Sequence, residues 1–222
     1  MLTDSIIVSD LKKSFSKTSV LKGVNLTIEK GGQYVIKGSS GSGKSTLLYL
    51  LGGLDRPDSG VISVNGENLA SFSDEQLALY RNEKIGFVFQ FHFLLSSMTC
   101  FENILLPASL SKKTTVKEVR PFVLEVAKLL GVGECLEKMP YELSGGQQQR
   151  INLIRAISLK PDYLLCDEPT GSLDSVNTEI VCDFLFKLSK SLNITLLTVT
   201  HDPNVASHFQ SHFEMKDGIL YQ

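Results

Sequence analysis

The chain has 222 residues, 42% of them hydrophobic and 21% charged, and its 22 Lys and Arg against 24 Asp and Glu leave a net charge of −2. This length suits one compact domain with room for an insertion, and a chain of this size buries roughly 70% of its unfolded surface without staples. The composition argues against long disorder, and the absence of a basic surplus disfavours DNA or RNA as the main partner.

Cys100, Cys135, Cys166 and Cys182 form no CxxC pair and match no zinc spacing, so they read as reduced thiols of a cytosolic protein. The N-terminal residues include Asp4 and lack the basic and apolar regions of a signal peptide. No apolar run approaches the ~20 residues of a membrane span. The chain is therefore expected to stay in the cytosol without inserting into a membrane, although it can dock on something that does.

Short apolar runs alternate with amphipathic stretches, which predicts parallel strands joined by helices. The strands fall at 6–8, 33–36, 61–64, 85–89, 163–166, 195–199 and 212–215. The runs 85–89, 163–166 and 195–199 show little alternation, as strands covered on both faces do. Antiparallel edge strands fit 21–28 and 61–64, with turns at Gly23, Gly60 and Gly66. Helices fit 44–51, 74–80, 116–130, 145–159 and 178–191. From 96 to 143 the pattern is helices and loops without a convincing strand. That block reads as a helical subdomain inserted into a single domain whose sheet core spans 1–95 and 144–222. The chain runs only a few residues past the Gly218 turn, so no appended regulatory domain is expected.

Gly38-Ser39-Ser40-Gly41-Ser42-Gly43-Lys44-Ser45 matches G-x-x-x-x-G-K-[ST] just after the run Tyr34-Val35-Ile36. Its glycines allow a tight loop whose N–H groups face phosphate oxygens, and the helix beginning at Lys44 adds the positive end of its dipole. Lys44 is placed to reach the β- and γ-phosphates and the Ser45 hydroxyl to ligate Mg²⁺, with Thr46 beside it in the same nucleotide site. A second anchor is the apolar run 163–166 ending in Asp167-Glu168-Pro169. Alone, this reads equally well as a solvated strand end with a turn. Paired with the phosphate loop, Asp167 becomes a Mg²⁺ ligand and Glu168 a general base for the attacking water. The third motif is Leu143-Ser144-Gly145-Gly146-Gln147. Ser144 is a good N-cap and Gln147 completes a capping box. The two glycines at a helix start also make a second anion site.

LSGGQ upstream of an Asp-Glu strand end, with a phosphate loop before both, resembles the ATP-binding-cassette ATPases, and the resemblance covers nearly the whole chain. It implies a P-loop NTPase of α/β class: a RecA-like, mostly parallel sheet with antiparallel edge strands and an inserted helical subdomain. It further implies a head-to-tail homodimer in which each ATP lies between one copy's phosphate loop and the other's Ser144-Gly145-Gly146-Gln147. Gln90 matches the glutamine that contacts Mg²⁺ and couples to a transmembrane partner. Ser172-Leu173-Asp174 matches the loop that signals between sites, His201 the switch histidine at the γ-phosphate, and Phe15 the aromatic that stacks on adenine. Gly52 to Gly60 and Gln90-Phe91-His92-Phe93-Leu94-Leu95 resemble the lipoprotein-releasing branch of these ATPases. That branch implies a cassette on the inner face of the inner membrane, powering two permease subunits that dock near Gln90. An export ATPase, or an ATP-gated clamp that regulates a membrane complex without transport, remains open. A DNA-repair type is disfavoured, because Ser144 follows Lys44 by only 100 residues and no coiled-coil insertion fits between them.

His92 reads equally as a surface residue without chemistry. Phe91, Phe93, Leu94 and Leu95 form either a docking groove for a partner helix or a buried hinge. Lys37, before the phosphate loop, departs from the family pattern and reads as a structural oddity. Cys166 and the run Ile151-Asn152-Leu153-Ile154 are less usual choices that touch no catalytic role. Phe15, where Tyr is commoner, keeps the ring and loses the hydroxyl.

Overall fold

The computed structural model describes residues 5–171, 173 and 175–222. It opens with a long hairpin in which β1 (Ser5–Phe15) pairs antiparallel with β2 (Thr18–Glu29). Apolar side chains at Ile6, Val8, Leu21, Val24, Leu26 and Ile28 point inward while their neighbours face water. The register shifts between Val8 and Leu11, with Asp10 at φ 46°, and this bulge returns Leu11 to the buried face. β3 (Gln33–Lys37) leads through the phosphate loop into α1 (Lys44–Leu51). β4 (Ser59–Val64) and β5 (Glu67–Asn68) complete a four-stranded sheet in the order β2-β1-β4-β5. The antiparallel strands expected near the start thus make a sheet of their own.

α2 (Asp74–Glu83) begins in a Ser73–Gln76 capping box and delivers the chain into β6 (Ile85–Val88). Three helices follow without a strand: α3 (Cys100–Leu110), α4 (Val116–Leu129) and α5 (Gly145–Ile157). The chain then runs through β7 (Tyr163–Asp167), α6 (Ser175–Leu192), β8 (Thr195–Thr200), α7 (Pro203–Ser207), β9 (Ser211–Lys216) and β10 (Ile219–Tyr221). The second sheet has six strands in the order β10-β9-β3-β8-β7-β6. All its pairs are parallel except the β9–β10 hairpin, turned by Asp217 and Gly218 at φ 50° and 83°.

β7 and β8 are buried at every position, and their apolar residues divide by face. Tyr163, Leu165, Leu197 and Val199 join α1 and the first sheet in one core, whereas Leu164, Cys166 and Leu196 join α3 to α7 in the other. The buried residues of α3 and α4, Ile104 and Val123 among them, continue into the second core without a break. Close packing leaves little slack at Gly52, where a Cβ would lie 1.9 Å from the Phe87 ring. All four cysteines are free and buried. Lys37, half-buried, lies in register beside Thr200 on one side and Glu214 on the other.

Two consequences matter for function. The ends of β3, β8 and β7 lie side by side, since Lys37 pairs with Thr200 and Asp167 with Val199. Whatever follows those strands is therefore collected along one edge of the sheet, where open α/β folds bind ligands. Gln90 belongs to the irregular segment after β6, because the strand stops at Val88 rather than at Phe89.

Candidate active site

The phosphate loop leaves α1 with an open N-terminus. Gly43, at φ 107°, caps the helix and supplies no side-chain hydrogen bond, so the first-turn N–H groups stay available to an anion. Gly43 must be glycine on space as well: a Cβ would sit 2.9 Å from Leu21 Cδ2 and 3.0 Å from the Val20 carbonyl oxygen. Gly38 is equally tight, its Cβ falling 2.3 Å from the Met215 carbonyl oxygen. Lys44 is 6% exposed, and its Nζ donates to the carbonyls of Gly38 (2.8 Å) and Ser39 (2.9 Å). Burial lowers the Lys44 pKa, against the pull of Glu168 and Asp167. Ser42 Oγ is buried without a hydrogen-bond partner. A cavity of about 550 Å³ opens over the loop, lined by residues between Ser39 and Thr46 and by Val20, Gln90, Glu168 and His201. An open helix start and a buried ammonium at the cavity fit a triphosphate.

β7 brings in the two acids. Asp167 is 4% exposed; its Oδ1 accepts from Ser45 Oγ at 2.9 Å and its Oδ2 from the Tyr49 hydroxyl at 3.0 Å. Burial, aided by Glu168, raises the Asp167 carboxyl above its usual range despite those bonds and Lys44. The Tyr49 hydroxyl is itself pushed up to about 12, first by burial and then by Asp167. The Ser45 hydroxyl and the Asp167 carboxylate are hard oxygen donors already in contact, a set that fits Mg²⁺. Glu168 follows in a left-handed conformation, φ 47°, which turns its carboxylate toward the end of β8. There Oε2 accepts from Thr200 Oγ1 at 2.8 Å and Oε1 from the His201 backbone N–H at 2.9 Å. Nδ1 of the His201 ring lies 2.7 Å from the same Oε1.

The remaining expected residues are placed differently. Phe15 stands 51% exposed at the tip of the β1–β2 hairpin and does not line the cavity, although Val20 on the same hairpin does. Ser144 Oγ accepts from the Gln147 N–H (3.3 Å), and the Gln147 side chain accepts from the Ser144 N–H (2.9 Å). Ser144 and Gly145 are exposed, and none of residues 144–147 lines the cavity of their own chain. Asp174 and Ser172 lie outside the described residues. His92 does not line that cavity but a second one of about 370 Å³; burial lowers its pKa, and its Nδ1 has no partner. Arg155 of α5 donates to the His92 carbonyl (2.7 Å) and the Phe93 carbonyl (2.8 Å), tying the Gln90 segment to the helix that carries LSGGQ.

Sequence reasoning missed Tyr49 and Thr200. Tyr49 had a signal, since it follows Ser45 by one helical turn and so shares its face. Thr200 had none, because its bond to Glu168 depends on the pairing of β7 with β8.

The model for ABC transporters matches residues 21–171. The chain belongs to the ABC transporter family. Several relatives of this ABC cassette carry the name lipoprotein-releasing system ATP-binding protein LolD. The one from Leptospira interrogans is 39% identical over 217 residues, covering 98% of this chain and 91% of the relative. The one from Shewanella denitrificans is 43% identical over 209 residues, covering 93% and 88%. Among solved structures, MJ0796, described as a bacterial ABC transporter cassette in dimeric form, aligns with a TM-score of 0.90 at 36% identity over 98% of this chain and 97% of its own. A post-hydrolysis dimer of the same cassette with ADP and Pi aligns with a TM-score of 0.91 at 35% identity, with the same coverage.

Proposed function

We propose that this ABC ATPase is the ATP-hydrolysing subunit of a lipoprotein-releasing transporter, and that two copies close head to tail around two ATP molecules. The observation that carries the reading is the separation of the two glycine-bearing helix starts. The N-terminus of α1 opens on the phosphate cavity, while residues 144–147 at the start of α5 do not line that cavity, and Ser144 and Gly145 are exposed. A second copy would bring the α5 start to the cavity. The relatives named LolD supply the cargo class.

In this mechanism Phe15 stacks on adenine, and the N–H groups from Gly38 to Thr46 cradle the phosphates of the substrate. Lys44 exchanges its carbonyl partners for β- and γ-phosphate oxygens. Ser45, Asp167 and Gln90 would hold Mg²⁺, which would supply positive charge to offset that of the triphosphate. Glu168 takes the proton of the attacking water, held in place by Thr200 and His201. The His201 ring contacts the γ-phosphate, and residues 144–147 of a second copy close the site. Most of the acceleration comes from positioning and charge neutralisation.

The output surface is a groove of about 460 Å³ lined in part by Phe87, Phe89, Phe93, Leu106, Pro107 and Leu110. Leu110 in that lining and Phe91, whose ring meets Phe93 edge-on, are each 70% exposed. Apolar exposure of this kind next to the Gln90 segment suits the helix of a membrane permease. Two such permeases would hold the cassette on the inner face of the inner membrane. Among the described residues no helix is long and apolar enough to cross a membrane.

The test is affinity purification of the tagged chain from solubilised membranes, followed by reconstitution with the proteins recovered. The expected result is two permease subunits and ATP-dependent release of a lipoprotein from the vesicles. Recovery of division proteins without release activity would replace the transporter by an ATP-gated clamp.

A further inference from the structure

Among the described residues, the mechanism above leaves the buried cation Lys13 unused. Lys13 lies on β1 two residues before Phe15, its side chain only 11% exposed. Its Nζ donates to the Arg56 carbonyl at 2.7 Å, pairs with Asp55 Oδ2 at 2.8 Å and sits 5.2 Å from the centroid of the Phe15 ring. Burial alone would raise the Asp55 carboxyl. The Lys13 ammonium and the Arg56 N–H outweigh burial and hold it below its usual range.

The turn that holds Lys13 also fastens the residues on either side. The Asp58 N–H donates to the Lys12 carbonyl at 3.0 Å, and Asp58 Oδ2 accepts from the Ser14 N–H at 2.6 Å. Three consecutive residues before Phe15 are therefore clamped by the segment that follows α1, the helix of the phosphate loop. Phe15 itself, half exposed at a hairpin tip, has little core around it to choose a rotamer. A buried ammonium is also an expensive way to pack a strand, since an apolar side chain of similar volume often serves stability as well or better. Its position against an exposed ring gives it a different use.

We propose that Lys13 is a positioning residue for nucleotide recognition: fixed by Asp55 and Arg56, its ammonium holds the Phe15 ring in one orientation so that the adenine base finds a preformed platform. The proposal rests on Phe15 being that platform. A cation against an aromatic face is attracted by the ring quadrupole, and the attraction grows as the cation loses water, which is the state of Lys13 here. Anchoring the ring to the turn after α1 also fixes the spacing between the base platform and the phosphate loop. An ordered ring leaves less freedom to be lost on binding.

The test compares ATP with tripolyphosphate, which lacks the base, on the full chain carrying Lys13→Met, Lys13→Arg, Asp55→Asn or Phe15→Ala. Lys13→Met keeps the length of the side chain and removes the charge. It is expected to raise the Kd and KM for ATP by about threefold to tenfold. The kcat at saturating ATP and the Kd for tripolyphosphate should not change. Lys13→Arg should restore ATP affinity, and Asp55→Asn should show the same base-selective loss to a smaller degree. Should Lys13→Met fail to fold, as judged by its melting curve, the Asp55→Asn and Lys13→Arg pair carries the comparison. An ATP affinity within twofold of the parent, or an equal loss for tripolyphosphate, overturns the proposal. Phe15→Ala separates the two claims. If it leaves ATP binding unchanged, the platform reading itself fails; if it weakens ATP while the Lys13 and Asp55 variants do not, only the role of Lys13 falls.

Discussion

α1 and α5 both begin at glycines that suit an anion, yet they are built for opposite situations. α1 has a glycine cap without a side-chain hydrogen bond, a buried lysine in its first turn and a cavity above it. α5 has its Ser144–Gln147 capping box already closed and an exposed start that stays clear of that cavity. The first is a binding site in waiting. The second is a finished surface with donors to lend, and the difference shows that a glycine-bearing helix start becomes a site only through what the rest of the fold sets opposite it.

Mutations sharpen this contrast, beginning with the largest effect. Glu168→Gln keeps the size of the side chain and removes the proposed base, so ATP turnover should fall by about 10²–10⁴-fold while nucleotide binding survives. Lys44→Ala should weaken both phosphate binding and turnover, the latter by about 10²–10³-fold, as loss of a charged group aimed at developing charge does. Gly145→Asp attacks the other helix start. A Cβ at Gly145 meets no atom within 4 Å, so the chain should melt normally and bind ATP with parent affinity. Turnover should nevertheless drop at least about tenfold, because a carboxylate is set against triphosphate across the closed pair. Parent turnover in Gly145→Asp would remove α5 from the site. Tyr49→Phe is the mildest: it strips one partner from the buried Asp167 carboxylate, and denaturant unfolding should show a loss of about 1–3 kcal/mol.

The parts of the site most legible in sequence are those built from consecutive residues. The helix expected at 44–51 coincides with α1, and the acids fall at the end of β7 as the apolar run 163–166 implied. The strand at 6–8 was far too short, because the bulge at Asp10 breaks the period-two pattern before Leu11 and hides the rest of β1. The helix expected at 145–159 overruns α5 by two residues, since Ser158 is its C-cap and Leu159 lies in the turn beyond. α3 was blurred into a helical stretch, its pattern interrupted by Pro107. Contacts that need two distant elements stayed invisible: Thr200 on Glu168, Arg155 on the His92 carbonyl, and Lys13 against the turn after α1. Each depends on strand order or on a turn that doubles back, and neither leaves a local mark.

The most direct measurement is the mass in solution, by light scattering, of the Glu168→Gln chain with saturating ATP and Mg²⁺ and again without nucleotide. Two copies with ATP and one without is the outcome this account requires. A single-copy mass under both conditions, with ATP shown to be bound, would contradict it.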